Sequence, residues 1–285
     1  MFPFQFAAGS IIGKDHVLIG KNNQDGFYAL SDQKDITVAV VCDGCSSGQH
    51  SEVGAKIGAS LTAFAVRREA RRALSRASPK GENPFITEQF WKKVQQDVLS
   101  HILLLAQAMG DSLSDTIWDY FLFTTVGVLI TKEWSTFFHL GDGVIIVNGY
   151  EYIIPQYPDN EPPYIGYGLV ESSINPELIR YVSHGLPTPD VTSFLIGTDG
   201  VEELIRSAEK TVPGRTEIVG PISQFWENPS YFASKDAVRR RLAILNREGR
   251  RINYQAGTTT SYHGLLSDDT TIIIGRRKEA ERTDG

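Results

Sequence analysis

Four strand-like runs in this chain meet an aspartate at one end. VAVV (38–41) leads into Cys42-Asp43-Gly44, FFHLG (137–141) into Asp142-Gly143, and FLIGT (194–198) into Asp199-Gly200. Asp268-Asp269 instead opens TTIII (270–274). Runs of β-branched and aromatic residues bounded by turn residues read as strands, so these carboxylates are expected at strand ends. Asp-Gly by itself is a common tight-turn pair, because Asp bonds its own backbone and Gly accepts positive φ. On that reading Asp142, between two strand-like runs, is a hairpin tip. Gly44 and Gly200 are different, since helical patterns (SEVGAKIGASL and VEELIRSA) follow them. In an antiparallel sheet the end of one strand lies beside the start of its neighbour, which can gather such carboxylates on one rim. Gathered carboxylates repel unless a cation compensates, and hard oxygen donors suit Mg²⁺ or Mn²⁺.

Strands are expected near 5–12, 35–42, 121–131, 135–141, 143–149, 191–198 and 270–275. One helix is expected from Ser51, its N-cap, on the spacing of Val53, Ile57, Leu61 and Phe64. A second should cover 87–109 through Phe90, Val94, Val98 and Leu105, and a third 234–248. The short link in HLGDGVIIV implies antiparallel pairing, and strand runs interrupted by a helical pair suggest an α+β domain. One domain over 1–276 with a fraying polar tail over 277–285 is the expected organisation. PQYPDNEPPYIGYG (155–168) reads as a loop or lid, and 155–190 could overhang a site. The net charge of −6 argues against wholesale binding to nucleic acid or to an anionic membrane. Two cysteines, no signal-peptide pattern and no membrane-span run point to the cytoplasm.

The ordered motifs NNQDG, VVCDGCSSG…SEVGA, FTTVGV, FHLGDG, LIGTDGVEEL and SDDTTIII resemble the metal-dependent protein phosphatases, the type 2C protein phosphatase fold. DGCSSG and the NQD form look most like a bacterial branch. The resemblance implies a central antiparallel β-sandwich flanked by α-helices on both faces. It also implies a phosphoserine or phosphothreonine protein substrate, a partner kinase, and hydrolysis by water bridging two Mn²⁺ or Mg²⁺ ions. Asp43 would bridge the metals and Gly44 would offer its carbonyl, with Asp199 and Asp268 as further ligands. Asp142 matches a residue that helps hold a third, weaker metal in some members, and Asp25 an acidic residue acting through metal-bound water.

There are departures. Where many members carry a phosphate-clamping Arg, this chain has Gly20; His16 and Lys21 are the substitute candidates, with a solvated surface role as the alternative for each. On a regular strand His16 would share a face with position 20 and Lys21 would not. Cys45 stands where some members have a His, and Gly143-Val144 follow Asp142 in place of small polar and basic residues. Two other classes stay open: a catalytically weak regulatory or binding module on the same fold, and a thiol redox protein using Cys42 and Cys45. C-x-x-C alone is a weak signal, and Cys42 reads as a small buried hydrophobe. The basic run VRREARRALSR (66–76) is a solvated helix face or a dock for an acidic partner, and His139 reads as a core histidine.

Overall fold

The computed structural model describes residues 4–32, 35–76, 81–110, 112–155, 157–158, 161–255 and 257–278. The chain runs β1 (Phe4–Ile11), α1 (Lys14–Ile19), β2 (Asp25–Ser31), β3 (Thr37–Asp43) and α2 (Ser51–Leu74). Next come α3 (Glu88–Met109), α4 (Leu113–Tyr120), β4 (Thr125–Ile130), β5 (Trp134–Leu140), β6 (Val144–Val147) and β7 (Tyr150–Tyr152). After a long connection follow β8 (Val182–Pro187), β9 (Ser193–Gly197), α5 (Gly200–Arg206), α6 (Gln224–Glu227) and α7 (Ala237–Leu245). A hairpin of β10 (Gly249–Asn253) and β11 (Thr258–Tyr262) precedes β12 (Thr270–Arg277). Two five-stranded antiparallel sheets result, in the orders β1-β12-β9-β6-β7 and β2-β3-β4-β5-β8.

Strand composition explains the layering. Thr37–Asp43 (TVAVVCD) lacks polar alternation because both of its faces are buried. Val38, Val40 and Cys42 pack towards α2 and α3, while Ala39 and Val41 join Val126, Val128, Phe137, Phe194 and Ile273 between the sheets. On the other sheet Ile272, Ile274, Leu195 and Ile146 pack against α5, α6 and α7 through Leu204, Phe225 and Leu242. The arrangement is helix, sheet, sheet, helix: the expected α+β sandwich flanked on both faces. Burying each such Val, Ile or Phe contributes about 1.5–3 kcal/mol. Among the described residues no helix is long and apolar enough to cross a membrane.

Several expectations change. The buried face of α2 is not Val53, Ile57, Leu61 and Phe64 but the small residues Gly54, Ala55, Gly58, Ala59, Thr62 and Ala63, with Val66. A Cβ on Gly54 would stand 1.6 Å from the carbonyl oxygen of Tyr120, so this side brings backbones close together. Ser51 is the first helical residue rather than the N-cap, which is His50; its hydroxyl accepts from Gln24 Nε2 at 2.6 Å. β5 and β6 do not pair. Gly141-Asp142-Gly143 carries the chain from one sheet to the other, with both glycines at positive φ (84° and 125°), so Asp142 is a crossover rather than a hairpin tip. Arg277, the first residue of the expected tail, ends β12, and its Nε donates to the Val191 carbonyl at 3.0 Å. The rest of the tail, 279–285, lies outside the described residues, as do Gln156, Asp159 and Asn160 of the expected loop.

Candidate functional site

Asp25 opens β2 and Asp43 closes β3, and the register sets the two directly opposite. From the other sheet, Asp199 follows β9 and Asp268-Asp269 precede β12. Asp142 sits at the crossover between the sheets. One small cavity of about 60 Å³ is lined by Asp43, Gly44, Asp142, Asp199 and Asp268, together with His16, Tyr164 and Pro162. The structure therefore brings together every residue expected to ligate metal. Asp25 lies behind them, 2% exposed. Lys21 is not on the cavity wall: its Nζ donates to the carbonyl of Ser46, which is.

Local structure leaves these carboxylates facing the cavity. Asp199 holds the N-cap position of α5 yet makes no capping hydrogen bond, although Asp usually caps through its side chain. Asp25 Oδ2 accepts from the Thr198 hydroxyl at 2.9 Å, while its Oδ1 and Asp142 Oδ1 are buried without a partner. His139 is a core residue whose Nδ1 donates to the Gly141 carbonyl at 2.9 Å, steadying the crossover loop. Burial pushes its pKa down.

Asp268 and Asp269 divide their work. Asp269 is buried, and its two oxygens accept the backbone N–H groups of Gly13 (2.7 Å) and Gln24 (2.5 Å). Asp268 keeps a 54% exposed side chain on the cavity wall. His16 Nδ1 lies 3.0 Å from Asp269 Oδ2, off the hydrogen-bonding direction, and Nε2 lies 3.8 Å from Asp268 Oδ1. Among the described residues, His16, Asp268 and Asp269 form the one trio whose ligand atoms lie within 4.8 Å of one another.

The strand geometry assumed for His16 and Lys21 does not hold. Residues 14–19 are helical, and Gly20 ends that helix at φ 71°. A left-handed position favours Gly over any side chain, so the local backbone itself excludes a comfortable arginine there. His16 reaches the cavity from the helix, and Lys21 the DGCSSG loop from the turn after it.

Desolvation dominates the electrostatics. It raises the pKa values of Asp43, Asp25 and Asp268, with neighbouring carboxylates adding to the effect. Burial, then Glu202 and Asp268, pushes Asp142 up to about 6; burial, then Asp142 and Asp268, pushes Asp199 up to about 7. Cys42 is buried, its Sγ 3.7 Å from the Thr125 hydroxyl, and desolvation raises its pKa as well. Both cysteines are unpaired. These features suit a packed thiol rather than a redox pair.

Sequence reasoning missed Thr198, Gln24, Pro162 and Tyr164. Thr198 could have been found from its place directly before Asp199. Tyr164 comes from the irregular 155–168 segment and carries no local signal; burial raises its pKa, with Cys45 adding to the effect.

The family model described as Protein phosphatase 2C matches residues 12–243, a span that includes Asp25, Asp43, Asp142 and Asp199 and stops before Asp268. Among solved structures the chain is similar to a bacterial serine phosphatase (10% identity, TM-score 0.50, 97% of this chain and 98% of that chain). A mutant form of a bacterial serine phosphatase matches at 11% identity and TM-score 0.54, covering 97% and 99% of the two chains. A C. elegans sex determining protein matches at 13% identity and TM-score 0.54, covering 97% of this chain and 65% of that one. At these identities the likeness is one of fold. No curated protein sequence matches the chain.

Proposed function

The chain belongs to the protein phosphatase 2C family, and from that premise we propose that it is a metal-dependent serine/threonine phosphoprotein phosphatase acting on the product of a partner kinase. The observation that carries this reading is the convergence of Asp43, Asp142, Asp199 and Asp268, from strand ends of both sheets, on one cavity. The residues fit divalent cations: the carboxylates are hard donors, and Asp142 Oδ1, like Asp25 Oδ1 behind the cavity, is buried without a partner. Asp43, Gly44, Asp199 and Asp268 would hold two Mn²⁺ or Mg²⁺ ions, and Asp142 would be placed for a third. Bound there, the cations would supply Lewis acidity that lowers the pKa of water and offsets phosphoryl charge.

The chain's own groups orient and enclose. Thr198 holds Asp25 against Asp43, and Asp269 ties the start of α1 and the loop before β2 to the rim. His16 and Lys21 take the place of the absent arginine as candidate phosphate contacts, Lys21 by exchanging the Ser46 carbonyl for a phosphoryl oxygen. Tyr164 and Pro162 wall the cavity from the 155–168 segment. The unpaired cysteines fit a reducing compartment, and we place the protein in the cytoplasm.

Hydrolysis of p-nitrophenyl phosphate and a phosphothreonine peptide with Mn²⁺ tests the reading. It should cease with chelator and fall about 100-fold or more in Asp43→Asn. Activity that survives metal removal would overturn it. The second reading, a catalytically weak binding module, is favoured by Gly20 at the clamp position; bound Mn²⁺ without hydrolysis would select it.

A further inference from the structure

The outward face of α2 carries a basic groove that the catalytic reading leaves unused. Arg67, Arg68, Arg71 and Arg72, with Phe64 and, from α3, His101, line about 550 Å³ on a chain whose net charge is −6. Phe64 is 42% exposed. Its ring sits 5.6 Å from that of Tyr28, and the Arg67 guanidinium lies 5.1 Å above it. Among the described residues Arg67 makes no ion pair. Arg68 pairs with Asp97, Arg71 with Asp32 at 3.2 Å and Arg72 with Glu69 at 3.2 Å, each through a side chain at least 45% exposed. The partner carboxylates are only 23%, 18% and 6% exposed, but each guanidinium stays open to solvent and carries five N–H donors that a second carboxylate can share. Glu69 is already shared with Lys93 at 3.4 Å, so positive charge remains in excess.

We propose that this groove docks an acidic segment of the phosphoprotein substrate at a distance from its phosphorylated residue. Guanidinium forks match carboxylates in two-point geometry, and Phe64 with Leu61 offers an apolar floor for peptide side chains. The acidic remainder of the molecule works against longer polyanions such as nucleic acid. Ser51 begins α2 and is bonded to Gln24 on the cavity wall. At 1.5 Å per helical residue, the arginines lie roughly 25–30 Å along the helix from it. A substrate held at this groove raises the effective concentration of its phosphorylated residue at the cavity. That advantage rests on the phosphatase reading; binding of the acidic segment does not.

Fluorescence anisotropy with a labelled Glu/Asp-rich peptide lacking phosphate tests the groove directly. The peptide should bind the full chain, release with salt, and bind about tenfold more weakly to Arg67→Gln/Arg68→Gln. That variant should keep the wild-type melting temperature and its rate on p-nitrophenyl phosphate. A phosphothreonine peptide joined to the acidic segment by a flexible linker of about 25 residues, enough to span this distance, should have a KM about tenfold below that of the unjoined peptide. The variant should lose that gain. The docking proposal is overturned if the acidic peptide does not bind at low salt, if the variant binds it equally, or if a single-stranded oligonucleotide of equal charge binds as tightly. Peptide binding with no phosphatase activity would keep the groove and sink the catalytic reading instead.

Discussion

Lys21 stands just past a glycine whose backbone disfavours any larger residue, and its ammonium group already touches the loop that follows Asp43. In Lys21→Ala, KM for a phosphopeptide should rise roughly tenfold or more with kcat little changed, the scale of one hydrogen bond to a charged group. An unchanged KM would assign the lysine to loop support. The carboxylates make a second prediction, in the absence of cations. Asp142 and Asp199 titrate at about 6 and about 7, above the ordinary carboxylate range, because burial and like charge disfavour ionisation. A group whose folded pKa is raised contributes stability at low pH that is lost as pH climbs through the folded value. In chelator, the melting temperature should therefore fall between pH 5 and pH 8; a flat or rising profile would contradict this. Mn²⁺ should reverse the trend, since binding requires deprotonated ligands.

Among the elements, α2 shows most clearly what pattern reading captures and what it loses. Its existence was legible from the apolar spacing, yet its buried face was not, because glycine and alanine carry no hydropathy signal while they set how closely backbones approach. Gly54→Ala is the test. On a solvated helix the change would stabilise by about 1 kcal/mol. Here the added methyl meets the Tyr120 carbonyl, and melting should drop by roughly 5 °C or more. The strands flanking Asp43, Asp142, Asp199 and Asp268 were readable because burial on both faces demands unbroken β-branched runs. β8 was not: VSHGLP is an edge strand, half exposed, with a Gly and a Pro. α1 has six residues and buries none of them, so no period marks it. The Asp142 turn was misread for a related reason, since Gly-Asp-Gly looks the same whether a chain folds back or changes sheets.

Across the whole molecule, the carboxylates could be paired with strand ends from the sequence, but their meeting point depends on how two sheets face each other. The walls contributed by Tyr164 and Pro162 depend on it too, because the connection that carries them has no regular structure to read. Asp25 and Asp43 come from one sheet, Asp199 and Asp268 from the other, and Asp142 from the thread between them. No stretch of chain shorter than residues 25–268 contains the set, and each layer alone holds only part of it. On the phosphatase reading, the complete pocket would exist only once the two sheets have docked, so a half-assembled chain would lack the full set of carboxylates.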